Sequence, residues 1–288
     1  MSQYKKLYNQ GLKQYSPKFK KELQKQVDEF CRTQDLNAIS SKDLKKTILS
    51  LHIAMGSKMA EISYNSLKSA KKSIYPLEHK SILSDLWQNV IVRYLDLKGL
   101  SQLVEEITNT TKKQIQNFLK KGILEGKPLQ QTIKELKTAG ITDFRAELIA
   151  RTETGRAANV GSMVGAVSTG LKTNKIWIAT LDSRTRRIPP DKTDHLHMNR
   201  VEVPMDERFE VYGTEGTELM LHPCDPMASA ANTCNCRCTI GYKVVKDTNG
   251  DYVTYNDEPP KGDIGQMWRL INDGNNNDIY TSIINSLQ

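Results

Sequence analysis

The residues whose types and spacing are best suited to metal binding or catalysis are three cysteines at alternating positions, Cys234, Cys236 and Cys238. Alternate positions of a β-strand point to one face, so a strand here would place three thiols side by side. Together with His195 upstream, they offer the thiolate and imidazole ligands of a structural zinc site. The spacing lacks the paired Cys-x2-Cys elements of common zinc motifs, so the alternative is a set of reduced cysteines that pack as small hydrophobes.

The same region contains residue types that are used in hydrolysis. A pair formed by Cys236 and His195, or a zinc-bound water, could supply a nucleophile, with Glu153, Asp182 and Arg184 as charged partners. The alternative is a buried hydrogen-bond network that holds a small β-rich core. The sequence has no Gly-rich phosphate loop, nucleophile elbow or recognisable metalloprotease motif, so we expect a structural role and no enzyme activity.

Two charged clusters accompany these residues. Arg151 and Glu153 lie two positions apart in a predicted helix, where side chains do not face each other. Each is therefore expected to reach another element. Arg184 and Arg186 follow a predicted strand, and they could pair with Glu153 or contact phosphate.

Positive charge is concentrated in the first half of the 288 residues, whose net charge is +8. Residues 1–150 carry 26 of the 41 basic and 15 of the 33 acidic side chains, which leaves 15 and 18 for residues 151–288. A basic half can bind phosphate by counterion release, or its lysine-rich helix faces are simply solvated. The candidate DNA-binding side chains are Lys5, Lys6, Lys13, Lys18, Lys20, Lys21 and Lys25.

Other features argue against a membrane or secreted protein. No apolar run approaches the roughly 18–20 residues that a membrane span needs. The first ten residues lack the apolar core of a secretory signal. The five cysteines, an odd number, do not suggest a disulfide framework, so we expect a reduced, cytosolic origin.

Apolar residues recur at helical spacing through the first 170 residues, which predicts a succession of helices. A break is predicted at Ser16-Pro17, where a cap followed by proline favours the start of a new helix. A later helix is predicted to end before Pro76. A last long helix, capped at Thr142, is predicted to run to about Gly170.

Strand-forming residues dominate after this helix. The predicted strands lie at 175–181, 201–203, 208–212 and 236–246. Asn249-Gly250 predicts a type I′ hairpin turn that leads into Tyr252–Tyr255. The fold class is therefore α+β. The predicted organisation is a basic helical region over 1–140, a module of one long helix and a β-rich part over 141–256, and a polar C-terminal tail over 257–288.

Six short motifs follow one another in the second half of the chain. Their residues are Arg151, Glu153, Trp177, Asp182, Arg184, Arg186, His195, Asp225, Asn235, Cys236, Arg237 and Cys238. In this order they resemble the minor head, or head morphogenesis, proteins of the phage Mu F-like family, over about residues 115–245. The chain departs from the family pattern by an insertion at 187–194, and Arg200 and Cys224 stand where glycine is common.

The resemblance implies a protein present in few copies in the virion of a tailed phage, inside the capsid near the portal, and made in the cytoplasm of the bacterial host. Its expected partners are the portal protein, the capsid and double-stranded DNA bound without sequence preference. Its expected role is head morphogenesis and genome packaging or delivery. A structural zinc is the one cofactor considered.

An enzyme is the alternative to this structural role. It would be a metal- or Cys/His-dependent hydrolase that acts during DNA entry. Related modules also occur fused to ADP-ribosyltransferase toxins, for which the roughly 40 residues after the module are too few.

Overall fold

Helices account for most of the described residues before position 170, as the spacing of apolar side chains predicts. The computed structural model describes residues 2–68, 80–256 and 258–272. Within these ranges the helices are α1 (Ser2–Thr33), α2 (Lys42–Lys68), α3 (Lys80–Leu97), α4 (Leu100–Leu124), α5 (Leu129–Thr138), α6 (Asp143–Val167), α7 (Ala230–Thr233) and α8 (Gly262–Asn272). The helix end predicted before Pro76 lies outside the described residues.

In the part of the chain that the structure describes, five short strands follow α6, which confirms the α+β class. They are β1 (Thr173–Ile178), β2 (Glu202–Pro204), β3 (Phe209–Val211), β4 (Glu218–Met220) and β5 (Thr239–Val244). The central strand β1 pairs antiparallel with β2 on one side and β5 on the other. A separate antiparallel pair joins β3 to β4, with Phe209 opposite Met220. Sequence patterns did not predict β4.

Helix α6 lies against both α1 and α2, and every residue from Thr152 to Val167 is buried. Small residues make this burial possible. A Cβ atom built on Gly161 would lie 2.0 Å from the carbonyl oxygen of Gly56, and one built on Gly165 would lie 2.1 Å from that of Ala60. The backbones of α2 and α6 are therefore in direct contact.

The helix start predicted at Ser16-Pro17 is wrong, because α1 continues through it without interruption. Proline inside a helix removes one hydrogen bond and costs about 3 kcal/mol. Tyr15 and Phe19, on either side of this point, are fully buried. Burial of the apolar face of α1 offsets the cost of the proline, since most helix stability in proteins comes from tertiary packing.

The turn at Asn249-Gly250 also differs from its prediction. Only Gly250 has a positive φ, of 88°, whereas a type I′ turn needs two such residues. The Asp247 carboxylate instead accepts hydrogen bonds from the backbone N–H groups of Asn249 and Asp251, both at 2.9 Å. The segment Tyr252–Tyr255 forms isolated bridges rather than a strand.

One buried apolar core extends from Tyr4 in α1 to Met267 in α8. It therefore crosses residue 140, where the sequence suggests a boundary between regions. Within residues 257–288, α8 docks on this core through Ile264 and Met267, and Asp263 pairs with Lys98, directly after α3, at 2.5 Å. The rest of the predicted polar tail, 273–288, lies outside the described residues. Among the helices described, none has the length and apolarity that crossing a bilayer requires.

Candidate functional site

A buried ionic network lies where α6 faces α2. The Glu153 carboxylate contacts Arg156 Nη1 at 2.6 Å and His52 Nε2 at 3.0 Å. Arg156 Nε donates to the carbonyl oxygen of Cys224 at 3.0 Å. Burial opposes ionisation of Glu153, but the Arg156 guanidinium and the His52 bond hold its pKa below the ordinary value. Burial lowers the pKa of His52, so its neutral imidazole donates through Nε2.

Asn159, one turn further along α6, connects the helix to two loops. Its amide Nδ2 donates to the carbonyl oxygens of Gly155 and Pro223, both at 3.0 Å, and of Cys238 at 3.2 Å. The Tyr4 hydroxyl of α1 also donates to the Cys238 carbonyl oxygen, at 3.2 Å. Because α1 and α6 hold the same carbonyl group, both helices fix the position of the cysteine segment.

Asp225 shapes the loop that carries Cys224. Its carboxylate accepts hydrogen bonds from the backbone N–H groups of Leu221 at 2.7 Å and Met227 at 2.9 Å, and it contacts Arg208 at 3.2 Å. Burial alone would raise the pKa of Asp225. Nearby positive charge and these N–H groups have the larger, opposite effect, so the pKa of this carboxyl lies below its ordinary value. Cys224 itself has a φ of 65°. This left-handed backbone conformation favours glycine over residues that carry a side chain.

Asp182 and Arg237 form the ion pair that joins the turn after β1 to the cysteine segment. Arg237 reaches both carboxylate oxygens of Asp182, and this bonding lowers the pKa of the carboxyl. Arg186 donates to the carbonyl oxygen of Cys234. The pairing of Arg184 or Arg186 with Glu153 is therefore wrong, because Arg156 and His52 occupy that carboxylate.

Arg151 also departs from its prediction. It pairs with Glu147 one turn earlier in α6, rather than with another element. Its guanidinium lies beside a surface groove instead of in the buried network.

The cysteine segment brings two of its thiols to one histidine. His195 Nδ1 lies 3.5 Å from Cys236 Sγ and 3.7 Å from Cys238 Sγ. His195 Nε2 contacts Asn232 Oδ1 at 2.9 Å, and the edge of Trp177 packs against the imidazole. The Nε2–H group donates to the amide oxygen, so the Nδ1 lone pair faces the sulfurs.

Cys234 does not join this cluster, contrary to the grouping expected from a strand. The segment is a turn before β5, and Asn235 has a φ of 61°. This left-handed residue breaks the alternation that would have placed the three cysteines on one face. Cys234 is half-buried at the end of α7, whereas Cys236 and Cys238 are buried.

The three buried thiols shift one another's pKa values. Hydrogen bonds from the thiols of Cys224 and Cys238 hold the pKa of Cys236 well below its ordinary value. The pKa of the Cys224 thiol and that of the Cys238 thiol are both raised. The larger cause is hydrogen bonding to Cys236, and the smaller is burial. Only 1% of His195 and of Cys236 is exposed. A substrate in solvent therefore has no access to this pair in the described conformation.

A basic groove of about 500 Å³ runs along the surface above this network. Its lining residues are Tyr4, Lys5, Tyr8, Asn9, Leu12, Arg151, Thr180, Arg184, Arg186, Asp191, Asn235 and Arg237. Five of these side chains are basic and one is acidic, so the groove favours an anionic ligand. The backbone N–H of Asn235 donates to Thr152 Oγ1 at 3.1 Å, which fixes one wall of the groove to α6.

The seven candidate lysines of α1 are all exposed. Lys20 pairs with Asp143, and Lys25 with Glu22 and Asp43. Lys18 lies over the ring of Tyr15. No acidic partner is found within the described ranges for the other four, Lys5, Lys6, Lys13 and Lys21. The tyrosines and leucines of the same helix face the core, so the predicted amphipathic pattern separates a buried face from a basic one.

Lys175 is a buried cation that no motif indicated. Alternation along β1 places it on the inner face, where Nζ donates to the carbonyl oxygen of Leu221 at 2.8 Å and lies over the ring of Phe209. Burial is the main cause that lowers the pKa of Lys175 to about 7, and the positive charge of Arg208 is the second. Nearby carboxylates act in the opposite direction but do not outweigh these two effects.

This pKa predicts a pH dependence of stability. The unfolded chain binds a proton at Lys175 up to about pH 10.5, but the folded chain loses it near pH 7, so stability rises with pH between these values. From pH 7 to pH 9 the free energy of unfolding should rise by about 2 kcal/mol relative to Lys175→Met, in which this group cannot titrate. Urea unfolding of both proteins measures the difference. A difference that stays constant with pH would contradict the prediction.

Comparison with known families gives this arrangement a context. Residues 113–241 match the family model of Phage Mu protein F like protein. That range includes every motif residue from Arg151 to Cys238 that builds the networks above. Residues 113–241 are therefore similar to the Mu F-like family. The matched region begins within α4 and ends within β5, and α1 and α2, which precede it in sequence, pack directly on its long helix α6.

A curated relative shares a longer stretch. The chain is 27% identical over 221 residues to the NAD(+)--arginine ADP-ribosyltransferase EFV of Enterococcus faecalis (strain ATCC 700802 / V583). The match covers 73% of this chain and 42% of that protein, so the chain spans less than half of the relative's length. No solved structure shows a significant match to the chain. The Mu F-like match supports a phage head protein.

Proposed function

We propose that the protein is a minor head protein of a tailed phage, which lies inside the virion beside the portal and contacts the packaged double-stranded DNA without reading its sequence. One observation carries this proposal. The match over residues 113–241 covers the buried network around α6, and that network holds α1 with its lysines exposed. The module and the basic surface are therefore parts of one structure.

The lysines of α1 suit contact with a phosphate backbone. Lys6, Lys13 and Lys20 recur at seven-residue spacing and so lie on one face of the helix, opposite the buried tyrosines. From Lys5 to Lys21 the helix extends about 24 Å at 1.5 Å per residue. Duplex DNA presents one charge per about 1.7 Å of its axis, so a helix of this length faces many phosphates. Lys5 continues the basic surface into the groove beside Arg184 and Arg186.

The C-terminal part of the module is the proposed docking surface for the portal or capsid. The ion pair of Asp182 with Arg237 and the bonds made by Asn159 hold its loops in fixed positions. A loop surface held in this way suits docking, because little conformational entropy is lost when it binds.

No enzyme activity is part of this proposal. The burial of Cys236 and His195 does not favour the hydrolase alternative, which needs a nucleophile open to substrate. The transferase activity in the name of the E. faecalis relative belongs to a protein of which this match covers 42%.

The DNA role is tested by the salt dependence of binding to random double-stranded DNA, measured by fluorescence anisotropy. The test variant replaces Lys5, Lys6, Lys13 and Lys21 with alanine in the full chain. Each lost phosphate contact removes about 0.9 from the slope of log K against log salt, so four contacts should reduce the slope by about 3 to 4. A fragment lacking α1 is not suitable, because that helix covers the core of the rest.

The matched control replaces four exposed lysines of α4 and α5, Lys113, Lys120, Lys134 and Lys137, with alanine. It has the same net charge as the test variant, and we expect it to keep the slope of the wild-type chain. Equal losses in both variants would assign binding to net charge rather than to α1. Absence of binding by the wild-type chain at low salt would remove the DNA role.

A further inference from the structure

We propose that His195, Cys236 and Cys238, with Cys224 as the fourth ligand, hold a structural zinc ion between α6 and the sheet. The three atoms His195 Nδ1, Cys236 Sγ and Cys238 Sγ all lie within 4.8 Å of one another, and all three residues are buried. This proposal is independent of whether the protein binds DNA.

The distances within the group fit tetrahedral zinc. Zinc lies about 2.3 Å from thiolate sulfur and about 2.0–2.1 Å from imidazole nitrogen, so two such ligands at a tetrahedral angle are about 3.6 Å apart. The two nitrogen–sulfur distances observed are 3.5 Å, to Cys236, and 3.7 Å, to Cys238. The ligand atoms are therefore already spaced for a metal ion.

The histidine is prepared for coordination by its second contact. Asn232 Oδ1 accepts a hydrogen bond from His195 Nε2 at 2.9 Å. Metal-binding histidines usually donate their other N–H group to such an acceptor, which fixes both the tautomer and the ring orientation. Trp177 packs edge-on against the imidazole, with ring centroids 5.2 Å apart, and restricts its rotation.

Cys224 provides the fourth thiol. Its sulfur is fully buried, lies 3.5 Å from the carbonyl oxygen of Cys236, and would lie only 3.0 Å from a Cβ atom on Gly155. Its backbone is left-handed, a conformation that is unfavourable for cysteine and easy for glycine. A strained residue of this kind points to a use for its side chain. In this structure the Cys224 sulfur lies outside the three-atom group, so coordination requires it to move toward His195.

Local positive charge suits a centre of three thiolates. Such a centre with one zinc ion carries a net charge of −1. Arg156 donates to the Cys224 carbonyl oxygen at 3.0 Å, which places its positive charge beside the loop that carries Cys224. The arrangement is closed to solvent, as in structural rather than catalytic zinc sites.

The test is made on the full chain, reduced, stripped with a chelator and then titrated with zinc alone. We expect one zinc per chain by elemental analysis, a higher melting temperature with zinc, and X-ray absorption showing three sulfurs and one nitrogen around the metal. A wild-type chain that takes up no zinc, or binds it through oxygen and nitrogen only, would overturn the site. Two sulfurs instead of three would overturn the assignment of Cys224.

Variants locate the ligands. Cys236→Ser and Cys238→Ser should each reduce zinc content several-fold, whereas Cys234→Ser, two residues away, should keep one zinc per chain. Zinc loss in Cys234→Ser with retention in Cys236→Ser would contradict the proposed ligand set. If the ligand variants do not fold, the wild-type titration and absorption spectrum still decide the question.

Discussion

Replacing Arg156 with alanine is expected to lower the free energy of unfolding by about 3–5 kcal/mol. The guanidinium neutralises the buried Glu153 carboxylate and also satisfies the carbonyl oxygen of Cys224. Without it, Glu153 keeps one neutral partner, His52, and becomes a buried charge with no counterion in contact. Equilibrium unfolding in urea measures the loss.

Arg151→Ala in the same helix is the matched control. Its guanidinium pairs with a half-exposed Glu147 one turn away, and such surface pairs contribute about 0–1 kcal/mol. We therefore expect the free energy of unfolding of Arg151→Ala to lie within about 1 kcal/mol of the wild-type value. Similar losses in the two variants would mean that burial of the Glu153 network does not stabilise the fold in the way described.

Gly161→Ala is expected to destabilise the chain by about 3 kcal/mol or more, although alanine is intrinsically the better helix former by about 1 kcal/mol. The new methyl group would lie 2.0 Å from the carbonyl oxygen of Gly56. That oxygen belongs to the backbone of α2 and cannot rotate away, so the two helices must separate. The lost packing would extend along the whole α2–α6 contact, and thermal unfolding should register it as a large fall in melting temperature.

Gly155→Ala, six residues earlier in α6, is the comparison. There the nearest atoms are Cys224 Sγ at 3.0 Å and the Cys236 carbonyl oxygen at 3.2 Å, so a small adjustment accommodates the methyl group. We expect it to lose less stability than Gly161→Ala. The reverse order would show that the backbones of α2 and α6 are not in the contact described.

Much of the helical architecture follows from the sequence, because long amphipathic stripes carry a strong periodic signal. The long helix predicted from Thr142 to about Gly170 is found at Asp143–Val167. Pro17 misled the prediction, since a local rule about proline was outweighed by burial of the surrounding face of α1. The short strand β4 carried too few residues to give a pattern.

The site is less predictable, because its contacts join distant parts of the chain. Motif order singled out Glu153, but nothing near it in sequence points to His52, which lies 101 positions earlier. The roles of Asn159 and Asn232 could not be predicted either, because asparagines with structural hydrogen bonds do not occur at a characteristic spacing in sequence. The prediction grouped Cys234 with Cys236 and Cys238 because it assumed a regular strand. The left-handed backbone of Asn235 interrupts that strand, so Cys234 lies apart from the other two.

The position of α1 has the widest consequence for the account. The sequence predicts a basic helical region over residues 1–140, followed by a module over 141–256. In the structure, Tyr4 bonds to the cysteine segment and the side chains of α1 contribute to the same core as those of α6. The lysines that we propose for DNA contact are thus held on a helix that the motif network fixes in place.

Hydrogen exchange of the full chain would reveal whether the motif residues and α1 form a single folding unit. We expect backbone amides in α1 around Phe19, in α6 and in β5 to exchange with the same free energy, close to that of global unfolding. Much faster exchange throughout α1, with α6 and β5 still protected, would contradict it, because the basic helix would then be separable from the module.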